Sequence, residues 1–289
     1  MQDRENTAHR QLLVGLVGAG IQLSLTPALQ EEEARCHGLR LHYQLIDLDR
    51  TPGAASQLAA LLSAARIMGF AGLNITFPCK QAVLPLLDVL SPKAQAMQAV
   101  NTVVIRDGRL VGHNTDGLGW AWGFRRALPD ADLACVVLLG AGGAGSAIAH
   151  AVLRLGAQQL RVVDTDLARA RSLAGVLQAR YGAAVTAHAH PAEALASATG
   201  LIHATPTGMA KMPGLPLPAA LLRRELWVSE AVYFPIETEL LKTARALGCA
   251  TVNGGTMAVG QAVGAFELFT GVPADAARME RHFHQLLAG

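Results

Sequence analysis

The stretch "VVLLGAGGAGSAIAHAVLRLGAQQLRVVD", residues 136–164, decides the fold. Its first residues are branched and apolar, as in a strand buried on both faces. Gly140, Gly142 and Gly145 follow at G-x-G-x-x-G spacing, "SAIAHAVLRLGA" continues as a helix, and "QLRVVD" is a second strand ending in Asp164. Each part has a physical use. The first glycine permits a tight turn, the second lets the backbone approach a pyrophosphate, and the third lets helix and strand pack closely. The helix N-terminus then offers N–H groups to phosphates. Asp164 lies 164 − 145 = 19 residues past the third glycine, where a carboxylate binds ribose hydroxyls. Residues Gly140, Ala141, Gly142, Gly143, Ala144, Gly145 and Asp164 are therefore the expected cofactor turn. Between Asp132 and Arg154 no charged residue occurs, long enough to span a bilayer. Glycines in its middle argue for strand, turn and helix instead.

A second stretch, "GLVGAGIQLSLTP" at 15–27, imitates the first. It has Gly18 and Gly20, but position 23 is Leu and Pro27 arrives before any helix can run. It offers instead Ser24 and Thr26, hydroxyls at the C-terminal edge of a strand, where open α/β sheets bind ligands. Thr26 is expected at a helix N-cap with Pro27 as the first helical residue and Gly38 past the end.

At 289 residues the chain suits one large or two medium domains. Lys+Arg exceeds Asp+Glu by only 24 − 22 = 2, which gives no reason to expect nucleic acid or an acidic membrane as partner. Cys36, Cys79, Cys135 and Cys249 form no Cys-x-x-Cys pair, so buried free thiols in a reducing compartment are expected, and no metal. The polar N-terminus "MQDRENTAHR" lacks the apolar run of a signal peptide. A cytoplasmic enzyme, monomeric or homodimeric, with a small-molecule substrate is the expectation.

Along the chain, short β-rich runs alternate with longer helical ones, the pattern of an α/β protein with largely parallel sheets. Strands are expected at 11–18, 41–48 and 72–76, and helices at 26–37, 54–69 and 80–90, the last interrupted by Pro85. "NTVVIRDGRLVG" (101–112) reads as a hairpin about Asp107-Gly108. From about 133 the strand–helix unit repeats through "LACVVLLG", "QLRVVD", "AAVTAHA", "GLIHAT" and "LWVSEA". Residues 256–288 read as helical, folding back on the first domain.

Four further segments make the pattern specific. "SLTP" (24–27), "LNITFPCK" (73–80), "AVNTVV" (99–104) and "HNTDG" (113–117), in this order, resemble the shikimate dehydrogenase family. The loop from Ala204 to Met209 and "NGGTMAVGQAV" (253–263) extend the resemblance over nearly the whole chain. It implies an N-terminal α/β substrate domain, residues 1–116 completed by helices in 256–289, plus a Rossmann NAD-binding domain, residues 117–255. The chemistry would lie in the cleft between them. Within the family, Asp164-Thr165-Asp166 stands where NADP enzymes carry an Asn-Arg-Thr type of segment. The chain is therefore most similar to the NAD-dependent quinate/shikimate dehydrogenases, which oxidise a ring hydroxyl to give 3-dehydroquinate or 3-dehydroshikimate. Arg161, Arg169 and Arg171 leave room for NADP, so an NADP-dependent biosynthetic enzyme or an aminoshikimate dehydrogenase-like paralogue is the alternative.

The resemblance implies roles residue by residue. Lys80 and Asp116 match the catalytic pair. Ser24 and Thr26 match contacts to a substrate carboxylate, with Asn74, Thr76, Asn101, Tyr233 and Gln261 around the polyol. Thr205, Pro206, Met209, Val232 and Gly254 join the glycine turn in holding NAD. The chain departs from the family at Leu23 (usually His), His203 (usually Asn), and Gly255 and Thr256 (usually Leu-Gly), which bear on the preferred polyol and on the nicotinamide side.

Overall fold

The computed structural model describes residues 11–50 and 53–288 and divides into two compact α/β units, 1–115 with 261–289, and 116–260. The N-terminal segment 1–10, read above as polar, lies outside the described residues.

In the first unit the strands are β1 (Gln11–Gly18), β2 (Arg40–Asp47), β3 (Gly72–Ile75), β4 (Val89–Leu90), β5 (Thr102–Arg106) and β6 (Arg109–His113), in sheet order β2-β1-β3-β5-β6-β4. β1 runs parallel to β2 and β3, while β5 is antiparallel to both β3 and β6. The β5–β6 hairpin turns at Asp107 and Gly108, with φ of 50° and 71°. A two-residue turn with both φ positive matches the twist of the strands it joins. Four helices belong to this part of the chain: α1 (Thr26–Cys36), α2 (Leu58–Ile67), α3 (Cys79–Ala82) and α4 (Pro92–Met97). α2 buries Leu58, Leu62 and Ala65 against Val17, Leu73, Ile75 and Val103 of the sheet. Each such leucine contributes about 1.5–3 kcal/mol on burial.

Three local expectations are corrected. The helix expected over 80–90 is a single turn, α3, followed by a 3-10 turn at Leu84–Leu86 and then β4. Pro85 has no N–H to give and its ring crowds the preceding turn, so the helix cannot pass it. Thr26 is already helical; Leu25 is the N-cap and gives no side-chain hydrogen bond, while the Ser24 hydroxyl accepts from the Thr26 N–H at 3.3 Å. Cys36 is exposed, unlike the three buried thiols, because it ends α1 on its solvent side.

The second unit holds β7 (Cys135–Leu139), β8 (Gln159–Val163), β9 (Ala184–His188), β10 (Gly200–His203), β11 (Trp227–Glu230) and β12 (Ala250–Val252). All pair in parallel, in order β12-β11-β10-β7-β8-β9. Read from β9, this is the 3-2-1-4-5-6 order of a Rossmann sheet. Its helices are α5 (Asp116–Ala127), α6 (Gly143–Arg154), α7 (Leu167–Tyr181), α8 (Pro191–Leu195) and α9 (Glu239–Ala246). α6 is buried along nearly its whole length, with Ile148 and Val152 fully enclosed. That explains why its sequence carries no charge before Arg154.

The chain ends in α10 (Gly254–Thr270) and α11 (Ala276–Ala288). α10 runs unbroken across the division after Gly260, so the two units are joined there within a helix. In the first unit, Gly72 on β3 makes room for Phe269 of α10, whose ring a Cβ there would meet at 2.4 Å. α11 is tied to α1 by one carboxylate. Glu33, 1% exposed, accepts from Arg278 Nε and Nη2 at 2.8 and 2.7 Å and from the Asp275 N–H at 2.7 Å, and lies 3.0 Å from His37 Nε2. Burial pushes the Glu33 carboxyl up, but the bonds from Arg278, Asp275 and His37 outweigh it and hold it below the usual carboxylate range. A lowered folded value means stability that is full above the ordinary glutamate range and lost as pH falls through the folded value. Glu33→Gln is therefore expected to destabilise the first unit by about 2–4 kcal/mol at neutral pH, less in acid, by urea unfolding at both pH values. An equal loss at both would remove the charge from the explanation.

Candidate active site

Each unit carries its own half of the expected chemistry, and each is built at the C-terminal edge of its sheet. In the first unit the glycines of β1 serve the backbone. A Cβ at Gly18 would meet Thr76 Cγ2 at 2.2 Å, so glycine there lets the β3–α3 loop close on β1, where the Ala19 N–H bonds the Phe77 carbonyl at 2.9 Å. Asp47, ending β2, takes the Gly20 N–H at 2.9 Å and Gln22 Nε2 at 3.0 Å. Burial raises the Asp47 carboxyl, yet the Asp49, Gly20 and Ile21 amides and the Gln22 side chain hold it below its ordinary value. The second glycine stretch is thus occupied by its own chain.

Beside this edge lies a polar cluster. Asn74, at the end of β3, accepts from the Tyr43 hydroxyl at 2.7 Å and donates to the Asn101 carbonyl and the Thr102 hydroxyl. The Asn101 side chain donates to Thr115 Oγ1 at 2.8 Å and to Gln261 Oε1 at 3.5 Å, and accepts from the Thr115 N–H. Thr115 Oγ1 in turn donates to the Gln261 carbonyl at 3.1 Å. Asn74 and Asn101 are thereby locked in rotamer, an arrangement suited to reading hydroxyls by direction. Lys80 sits half-buried in α3, and its carbonyl accepts the Val100 N–H at 2.9 Å, which joins α3 to the same cluster. Ser24 and Thr26 face each other with oxygens 3.2 Å apart. Ser24, Thr26, Asn74, Thr76, Lys80, Asn101 and Gln261 all belong to the first unit; Asp116 and Tyr233 belong to the second. Asp116 is fully buried in the first turn of α5, one residue beyond Thr115. Sequence reading passed over Tyr43, Thr102 and Thr115. The last two stand inside the quoted motifs, so the motifs themselves were the available signal.

In the second unit the glycine turn meets the demands of a dinucleotide. Gly140 has φ 101°, and a Cβ there would meet the Ala204 carbonyl at 2.7 Å. Gly145 lies against the Gly140 carbonyl, 1.9 Å from where its Cβ would be. A Cβ on Gly142 would meet nothing within 4 Å, and Gly142 caps α6 with no side chain on its first N–H groups. An open cradle before an uncapped helix N-terminus fits a pyrophosphate. Ala141, Gly143 and Ala144 complete that turn. Asp164 Oδ2 accepts the Ala141 N–H at 2.8 Å and Oδ1 the Asp166 N–H at 2.9 Å, so its carboxylate is fixed beside the cradle. Thr205, Pro206 and Met209 form the loop after β10, closed by Met209 N–H to the Pro206 carbonyl at 3.1 Å. Val232 follows β11, and Gly254 packs on its carbonyl, which a Cβ would meet at 2.4 Å. The family departures have structural partners too. Thr256 bonds the Asn253 carbonyl and fills the space left by Gly123, the Gly255 N–H bonds Asn253 Oδ1, His203 is fully buried, and Leu23 is exposed. Among the described residues no cluster suited to a metal ion occurs, and no helix is long and apolar enough to cross a membrane.

An all-parallel Rossmann sheet with this turn, joined to an α/β unit bearing a lysine beside a fixed Asn/Thr cluster, defines a two-domain oxidoreductase of the nicotinamide class. The model of the shikimate dehydrogenase substrate binding domain matches residues 16–103, and that of the shikimate 5'-dehydrogenase C-terminal domain matches 254–282. The chain is 58% identical to a shikimate dehydrogenase (NADP(+)) of Streptomyces avermitilis, over 92% of this chain and 93% of that protein. It is 48% identical to a quinate/shikimate dehydrogenase (NAD(+)) of Corynebacterium efficiens, over 96% and 99%. Among solved structures, a quinate dehydrogenase from Corynebacterium glutamicum in complex with NAD superposes with a TM-score of 0.86 at 46% identity, covering 96% of this chain and 99% of that one. The chain belongs to the shikimate dehydrogenase family.

Proposed function

We propose that the protein is an NAD-dependent quinate/shikimate dehydrogenase. The observation that carries the reading is Asp164, held by the Ala141 and Asp166 amides beside the open cradle at Gly142. A fixed carboxylate accepts from ribose hydroxyls and repels a 2′-phosphate. The Streptomyces relative carries NADP(+) in its name and the Corynebacterium relatives NAD(+), and residues 164–166 are where we expect this chain's choice to be made.

Residues 1–116 with 256–289 supply the substrate part and 117–255 the cofactor part. Gly140 to Gly145 would hold the pyrophosphate and Asp164 the ribose, with Thr205, Pro206, Met209, Val232 and Gly254 along the same sheet edge. The bound dinucleotide supplies a hydride acceptor. Lys80 takes the proton of the reacting hydroxyl as its carbon gives up hydride, and passes that proton to solvent. Asp116 would serve as the second member of the catalytic pair. Asn74, Thr76, Asn101, Gln261 and Tyr233 read the remaining hydroxyls, and Ser24 and Thr26 take the substrate carboxylate. The four free cysteines favour a reducing compartment such as the cytoplasm.

NADH formation from NAD and NADPH formation from NADP, each with quinate and with shikimate, test the reading. Turnover of either polyol with NAD is expected. NADH binding without turnover of either polyol would point to an amino analogue of shikimate instead. Asp164→Asn keeps an acceptor for the Ala141 N–H but removes the charge. It should narrow the NAD-over-NADP ratio of kcat/KM by about tenfold, roughly 1.4 kcal/mol. An unchanged ratio would remove Asp164 as the selector.

A further inference from the structure

One fully buried ionisable pair in the second unit is not part of the chemistry above. His203 and Glu230, 0% and 1% exposed, stand opposite each other at the ends of β10 and β11. His203 Nδ1 lies 2.8 Å from Glu230 Oε1, which also accepts the Val232 N–H at 2.9 Å; Glu230 Oε2 accepts the Thr238 hydroxyl at 3.0 Å. The other ring nitrogen, Nε2, makes a short hydrogen bond with Thr205 Oγ1. Thr205 Oγ1 also accepts the Thr207 N–H at 3.3 Å. Carboxylate, imidazole and hydroxyl thus form one chain, and both of its ends reach loops assigned above to the cofactor.

We propose that the Glu230–His203 pair positions Thr205 as a hydrogen-bond acceptor toward the dinucleotide, so that two buried residues with no access to the ligand set its affinity. A carboxylate can only accept, so the proton between Glu230 and His203 sits on Nδ1. In the neutral ring Nε2 is then an acceptor, and the Thr205 hydroxyl donates its only proton to it. With the Thr207 N–H already on the oxygen, one lone pair remains, and the partner it suits is a donor. A ribose hydroxyl or an amide N–H fits; a phosphate oxygen, having no proton, does not. Glu230 also fixes Val232 through its N–H, so one carboxylate sets the loops after both β10 and β11. The inference rests on the dinucleotide reading of this unit but not on the identity of the polyol.

The test begins with histidine-selective nitrogen NMR of the wild-type protein. His203 is expected to carry its proton on Nδ1 with Nε2 bare; a ring protonated at both nitrogens would make Thr205 a donor and overturn the proposal. NADH affinity is then read by cofactor fluorescence. His203→Asn keeps a donor toward Glu230 but does not reach Thr205, and Thr205→Val removes the hydroxyl. Each is expected to weaken NADH binding about fivefold to tenfold, and the double variant no more than either alone, because both cut the same chain. Thr205→Ser, which keeps the hydroxyl, should bind NADH as wild type. Additive losses, or normal binding by His203→Asn, would reduce the pair to a packing role. Should His203→Asn fail to fold, the nitrogen spectrum and the serine–valine contrast at Thr205 decide. A wild-type protein that binds no NADH defeats the cofactor reading itself, whereas normal NADH binding in every variant defeats this inference alone.

Discussion

Lys80→Ala is expected to lower kcat for polyol oxidation by about 10²–10⁴-fold, the usual worth of a positioned acid–base group. NADH affinity and the unfolding midpoint should hold. The separation follows from where the residue sits. Lys80 is half-buried on the one-turn helix α3, and the contact that fixes this helix to the Asn101 strand edge is its own carbonyl, bonded to the Val100 N–H. Removing the side chain leaves that backbone bond, so α3 keeps its attachment to the strand edge. Lys80→Arg sharpens the result. Arginine preserves the charge but does not give up its proton in proteins, so it should be nearly as slow as alanine if the lysine transfers a proton. An arginine variant with near wild-type kcat would make the charge, not the proton, the contribution of residue 80. Oxidation also releases a proton to solvent, so the equilibrium toward NADH should move forward as pH rises.

How far such a site is legible in sequence depends on whether its constraints are local. The glycine turn was in part: Gly145 answers to the Gly140 carbonyl five residues before it, whereas Gly140 answers to Ala204, 64 residues on, and was legible only through the spacing of the turn itself. The same logic separated the two Gly-Ala-Gly stretches, though not for the reason the structure supplies. Asp47 and Asp164 both end or follow a second strand and both accept an amide from the turn after the first. Both also accept the amide two residues on, from Asp49 and Asp166; Asp47 is further engaged by the Gln22 side chain, while Asp164 leaves an open cradle beside it. Pro85 signalled an interruption, but propensity over 80–90 hid the fact that only one turn precedes it. Long-range partners left no local mark. Nothing near Asn74 names Tyr43, 31 positions away, and nothing near His203 names Glu230 across the sheet. Sequence reading flagged His203 only as a departure from a family pattern, and its role emerged from register, with His203 paired to Glu230 in the β10–β11 ladder.

The two glycines on either side of the α6 N-terminus should respond to alanine in opposite ways. At Gly145 the added Cβ would lie 1.9 Å from the Gly140 carbonyl oxygen and 2.9 Å from its carbon. These are backbone atoms and have no rotamer to yield, so helix and turn must part. Overpacking of this kind costs about 1–3 kcal/mol or more and displaces the turn, so Gly145→Ala should lose both stability and NADH binding. At Gly142 a Cβ meets nothing within 4 Å, and the backbone φ of −76° suits any residue. Gly142→Ala should therefore unfold like the wild type, or slightly later, because alanine restricts the unfolded chain. Its methyl nevertheless fills the room before the uncapped N–H groups of α6, and NADH affinity should fall about tenfold or more, at least 1.4 kcal/mol. Stability without binding in Gly142→Ala, set against loss of both in Gly145→Ala, distinguishes a glycine kept for the ligand from one kept for the fold. If Gly142→Ala binds NADH normally, the open space at residue 142 is not where the pyrophosphate lies, and the assignment of this turn falls with it.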